Sequence, residues 1–102
     1  MWVEVLRIEE VPDGRGVRVD VGDNRIAILR DGDSIYALGD RCTHAEASLS
    51  EGDVFDGEVE CPRHGATFDL ATGAAKTLPA TRSARTYPVR TRDGVIEVEV
   101  SK

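Results

Sequence analysis

Both cysteines and both histidines of this chain fall between residues 42 and 64. They form two short clusters, Cys42-Thr43-His44 and Cys61-Pro62-Arg63-His64, with residues 45–60 between them. Nothing outside this stretch offers a thiolate or an imidazole. Each cluster lets one loop aim a Cys and a His at neighbouring points in space. Two such loops, facing each other, present two thiolates and two imidazoles. Soft thiolates select iron–sulfur clusters, zinc or Cu(I), and imidazole suits zinc, copper and iron. The donor types therefore leave two serious metals, zinc and iron.

Other readings of the same residues are less economical. A Cys42–Cys61 disulfide leaves both histidines unexplained, and chains without an export signal usually stay in a reducing compartment. Two inert buried cysteines with two surface histidines leave the clustering unexplained. A structural Cys2His2 zinc site is the main rival. Zinc fingers, however, usually pair cysteines with cysteines and histidines with histidines. Here each arm is mixed, which suits a two-iron site with both cysteines on one iron and both histidines on the other.

The pattern resembles the Rieske [2Fe–2S] family, whose signature is Cys-x-His, a gap, then Cys-x-x-His. The second arm, CPRHGATFDLATG from Cys61 to Gly73, resembles the family beyond its ligands: Pro62, Gly65, Phe68 and the Thr72-Gly73 turn all match. The first arm runs on into Ser48-Leu49-Ser50-Glu51-Gly52, and Pro79 stands where the family has a proline-containing loop against the cluster. The resemblance implies one [2Fe–2S] cluster, with Cys42 and Cys61 on one iron and His44 and His64 on the other. Leu49 and Pro79 are expected either to cover the cluster and restrict water or to serve as plain core residues.

The resemblance further implies a low-potential site. High-potential members carry an extra cysteine in each ligand loop, joined as a disulfide; the matching positions here are Ala47 and Arg63. They also carry a Ser and a Tyr whose hydroxyls donate to sulfur, and those positions here are Ala66 and Phe68. Hydrogen bonds to sulfur spread the charge of the reduced state and raise the potential. Rieske centres span roughly −150 to +300 mV, and the missing hydroxyls point to the low end. Thr43 or Thr67 is left as a source of one hydroxyl.

The elements that must position these loops read as strands. With 102 residues the chain makes one domain with a modest core. Trp2–Ile8 reads as a first strand. Val17, Val19 and Val21 alternate with Arg18 and Asp20 in a second. Asn24–Arg30 places Ile26 and Ile28 on one face, Asp31-Gly32 makes a hairpin turn, and Ser34–Leu38 returns. Ala84–Thr91 and Val95–Val100 form a last hairpin around Asp93-Gly94. Asp-Gly turns and the lack of a sustained helical period predict an all-β chain, with at most one helical turn in Ala45–Ser50. By resemblance this becomes a Rieske-like fold: an antiparallel base barrel or sandwich from 1–39 plus 81–102, and a small cluster-binding subdomain inserted at about 40–80. Pro62, Gly65 and Pro79 are expected to tighten the loop backbones, and Gly73 to mark an ordinary turn.

Composition limits the function. The net charge is −6, with acidic groups concentrated in residues 1–60 and a basic excess after them. Such a chain lacks the basic footprint that nucleic acid requires. It suits steered, short-lived docking to partners with basic patches, with Glu46 and Arg63 nearest the ligands. The start, Met1-Trp2-Val3-Glu4, lacks the features of a signal peptide, and no long apolar run is present. The expectation is a cytoplasmic monomer with no membrane contact. Apart from the ligands there is no nucleophile–base pair and no nucleotide-binding glycine loop, so the chain reads as an electron carrier and not an enzyme. The family role it resembles is a ferredoxin passing single electrons from a flavin-containing reductase to an oxygenase, such as an aromatic-ring-hydroxylating dioxygenase. The alternatives are a small Rieske subunit of a larger reductase, a zinc-stabilised interaction module, and a redox sensor.

Overall fold

The computed structural model describes residues 1–42, 47–63, 65–77 and 82–100. Its regular structure is antiparallel strand, with two three-residue 3₁₀ turns at Ile8–Glu10 and Leu49–Glu51. Among the described residues no helix is long and apolar enough to cross a membrane.

Three sheets make the fold. The first contains β1 (Trp2–Arg7), β10 (Val95–Glu99) and β9 (Val89–Arg92), in the order β1-β10-β9, so the two ends of the chain pair. The second contains β2 (Gly16–Val21), β3 (Asn24–Asp31), β4 (Ser34–Gly39) and β8 (Thr86–Tyr87), in that order. The third is a small meander of β5 (Val54–Phe55), β6 (Glu58–Glu60) and β7 (Thr67–Asp69).

Turn chemistry sets the registers. Phe55 pairs with Glu58 and Arg92 with Val95, leaving Asp56-Gly57 and Asp93-Gly94 as two-residue loops. All four loop residues have positive φ, the requirement of the type I′ turn, which Asp-Gly meets at little cost. The loop between β3 and β4 is Gly32-Asp33; Asp31 is still paired, with Ser34, one residue later than the expected turn.

The second sheet is the partition of the molecule. Ile26 and Ile28 face a core shared with Ala37, Tyr87, Ile96 and Val98, which joins the first and second sheets. Ala27, Leu29 and Leu38 face the opposite core, shared with Val54, Val59, Phe68 and both cysteines. Residues 26–29 are all fully buried. β3 is therefore covered on both faces, where the alternation of isoleucines predicted one. Burying each large side chain contributes about 1.5–3 kcal/mol, so this strand ties the two cores together energetically.

The expected strand Ala84–Thr91 is interrupted. β8 pairs with β4, and β9 pairs with β10. Pro88 stands between them and has no N–H to give to a ladder, so the chain changes sheets there. On the first sheet, the buried Glu97 is matched by Arg90, whose guanidinium also lies 4.2 Å from the centre of the Trp2 ring.

Candidate metal centre

Each cysteine opens a loop that closes on itself in the same way. β4 ends at Gly39, and the chain continues as a short hairpin ladder. Leu49 N–H donates to the Asp40 carbonyl at 2.7 Å, Arg41 bridges Ser48, and Cys42 N–H donates to the Ala47 carbonyl at 2.9 Å. In the second loop β6 leads into Cys61, whose N–H donates to the Ala66 carbonyl at 2.7 Å. Gly65 N–H returns to the Cys61 carbonyl at 3.0 Å, with Gly65 at φ 74°. In both loops the Cys N–H reaches the carbonyl of the alanine five positions on, and each expected His lies inside the loop so closed. His44 and His64 themselves lie outside the described residues, as do Thr43, Glu46 and Pro79.

Cys42 and Cys61 form no disulfide and both are buried, Cys42 at 2% and Cys61 at 0% exposure. They share one apolar core with Leu49, Val59, Ala66 and Phe68. Leu49 therefore packs in the same core as both cysteines. Ala66 and Phe68, the positions without hydroxyls, are fully buried. The Thr67 hydroxyl is already engaged: it lies 3.2 Å from the Thr77 hydroxyl, which also accepts from Thr67 N–H at 2.8 Å. That pair fixes the chain just before residues 78–81, at the edge of the same loops. Among the described residues no group of three or more His, Cys, Asp or Glu side chains is placed to hold a metal. The described half of the donor set still fits an iron–sulfur cluster: two soft thiols on two matching loops, in a core that excludes water.

Several residues that support this site were not singled out by the sequence reasoning. Asp40 is fully buried two residues before Cys42. Its N–H donates to the Arg25 carbonyl at 2.9 Å, its carbonyl accepts from Leu49, and its carboxylate accepts from Ser50 N–H at 2.9 Å. The other carboxylate oxygen stands 3.6 Å from an Arg25 guanidinium nitrogen, too long for a hydrogen bond. Asp40 thus clamps the first cysteine loop to β3. A lone acid two residues beyond the apolar run of Ile35–Leu38, after Gly39, was the available signal. Asp40→Ala should cost about 2–3 kcal/mol in urea unfolding, because it strands Ser50 N–H and leaves Arg25 uncompensated. Asp40→Asn should recover part of that loss by keeping an acceptor for Ser50.

Gly73 is more than an ordinary turn. It has φ 76°, and a Cβ there would sit 2.2 Å from the Ala84 carbonyl oxygen. Gly52 is equally confined, with a Cβ position 1.9 Å from the Glu60 carbonyl oxygen. The Asp69 carboxylate caps the turn before Gly73, accepting from the Thr72 hydroxyl at 2.8 Å and Thr72 N–H at 2.9 Å. The Thr72 hydroxyl above all holds the Asp69 carboxyl below the usual carboxylate range. The stabilisation is present above the ordinary carboxylate pKa and fades as pH falls through the lowered one.

A cleft of about 380 Å³ opens where the two loops meet, lined by Arg41 and Ser48 from the first and Pro62 and Arg63 from the second. Among the described residues, Ala47, Arg25 and Glu51 also line it.

The family model described as the Rieske [2Fe–2S] domain matches residues 1–88. The ferredoxin subunit of anthranilate 1,2-dioxygenase from Burkholderia cepacia is 42% identical over 99 residues, covering 97% of this chain and 92% of that protein. The ferredoxin of carbazole 1,9a-dioxygenase from Nocardioides aromaticivorans IC177 superposes with a TM-score of 0.90 at 36% identity, covering 96% of each chain. A chain from a complex of reduced oxygenase and oxidized ferredoxin in carbazole 1,9a-dioxygenase superposes with a TM-score of 0.87 at 37% identity, covering 95% of this chain and 91% of that one.

Proposed function

We infer the function from one premise: this chain belongs to the Rieske [2Fe–2S] domain family. It carries one Rieske-type [2Fe–2S] cluster and acts as a ferredoxin, the electron-transfer component of an aromatic-ring dioxygenase system and not itself a catalyst of oxygenation. The observation that carries this reading is the pair of matching cysteine loops in a chain similar to dioxygenase ferredoxins over nearly its whole length. Cys42 and Cys61 hold one iron, and His44 and His64 the other. The loops belong to a cluster-binding unit of about residues 40–80, carried on a base of 1–39 plus 81–102.

When bound, the cluster takes up and releases one electron. The chain's own residues do the rest. Ala66 and Phe68 exclude water from the cysteine side, and the two Cys-to-Ala hydrogen bonds hold the loops in register. The chain works as a monomer in the cytoplasm. It receives electrons from a flavin-containing reductase and delivers them to a terminal oxygenase, as the complex of oxygenase and ferredoxin in carbazole 1,9a-dioxygenase suggests. The test is stopped-flow mixing of the dithionite-reduced holoprotein with the purified terminal oxygenase of an aromatic-ring dioxygenase system. Reoxidation that accelerates with oxygenase concentration supports the reading; reoxidation no faster than in buffer alone overturns it.

The midpoint potential should fall near the low end of the Rieske window, roughly −150 mV. Ala66→Ser and Phe68→Tyr should each raise it, by at most about 130 mV, the equivalent of one charge-assisted hydrogen bond. Protein-film voltammetry reads both. A wild-type potential well above zero contradicts the argument from missing hydroxyls.

A further inference from the structure

We propose that the arginine-lined cleft between the two cysteine loops is a receptor for a single carboxylate side chain of the redox partner protein. This rests on the electron-carrier reading and adds a docking chemistry to it. Charge is the first observation. The chain carries a net −6, yet among the described residues this cleft is lined by three arginines, Arg25, Arg41 and Arg63, and one carboxylate, Glu51, with the Asp40 carboxylate 3.6 Å from Arg25. Among the described residues these groups sum to a positive charge in a net-negative chain. The Arg25 Nε and Asp40 Oδ2 are both buried without a hydrogen-bond partner among the described residues, so Arg25 is the least available of the three.

Shape and position narrow the occupant. About 380 Å³ admits one acidic side chain with its flanking backbone, but not a folded element. Guanidinium groups match carboxylates through paired N–H···O bonds. The rim comes from both cysteine loops, so a partner seated there lies against the loops that hold the ligands. The acidic bulk of the chain attracts a basic surface, while this cleft demands one projecting acid. Two signs in fixed relation specify one orientation, which net charge alone does not.

The test is calorimetric titration of the oxidised holoprotein at low ionic strength. The probe is a blocked peptide carrying one glutamate. Saturable binding should weaken about tenfold in the double variant R41Q/R63Q, and tighten a few-fold in Glu51→Gln. A gain in E51Q is a result that misfolding does not imitate, so the proposal stays testable should R41Q/R63Q lose its visible spectrum. No saturable binding, or affinities unchanged in both variants, overturns it. Inorganic phosphate binding more tightly than the peptide also overturns it, in favour of a small-anion site. The titration transfers no electron. A failed oxygenase assay with intact peptide binding therefore indicts the electron-carrier reading, and the converse indicts this proposal alone.

Discussion

Cys61→Ala should purify without iron or sulfide, colourless, and with a markedly lower Tm than the holoprotein. Cys61 is fully buried and its loop is closed by its own N–H on Ala66. Alanine fits that space without strain, so the apolar core loses little. On the proposed assignment the variant loses a ligand, and with it the binding free energy that stabilises the folded state over the unfolded chain. Cys42→Ala should behave alike, because the first loop has the same closure. Circular dichroism separates the two contributions: sheet content should persist near room temperature while the visible absorbance is absent. A Cys61→Ala protein that keeps two irons and two sulfides per chain contradicts the ligand assignment.

Gly73→Ala carries the second large effect, on folding. A side chain at φ 76° costs about 1–2 kcal/mol on its own. The added Cβ would also lie 2.2 Å from the Ala84 carbonyl oxygen and 3.0 Å from the Thr86 methyl. The neighbouring backbone is not free to withdraw, because Ala84 N–H donates to the Gly73 carbonyl at 2.7 Å. The expected loss is at least about 3 kcal/mol, a large part of a small domain's stability, with Tm falling by more than about 10 °C. Gly57→Ala is the control. Its φ is 74°, but nothing lies within 4 Å of the added Cβ, so it should cost only the conformational part. Equal losses in the two variants would remove the steric argument.

The sequence was most legible where local physics acts alone. Alternating valines in β2 and β10 and the Asp-Gly turn between β9 and β10 predicted strands and hairpin where they occur. The four candidate ligands were legible because donor chemistry is carried by residue type; the two cysteines prove buried in one core on matching loops. Long-range contact was less legible. The strands β5, β6 and β7 are two or three residues long, too short for a period to declare itself, although Asp56-Gly57 marked their turn. β3 was read only as placing Ile26 and Ile28 on one face, although its unbroken apolar run Ile26-Ala27-Ile28-Leu29 was the available signal for a second layer over Ala27 and Leu29. Gly52 and Gly73 are required by carbonyl oxygens of residues 60 and 84, which sequence spacing does not bring together. Asp40 owes its role to Arg25 and Ser50, one of them on another strand.

The central claim is that this chain holds a mixed cysteine–histidine iron–sulfur cluster for one-electron transfer. Iron, zinc and acid-labile sulfide analysis of the purified protein, with EPR after dithionite reduction, tests it most directly. The account predicts two irons and two sulfides per chain and the low average g-value of a Cys/His-ligated cluster. One zinc, no sulfide and no signal, persisting after anaerobic reconstitution with iron and sulfide, would contradict it and leave a zinc-held β module.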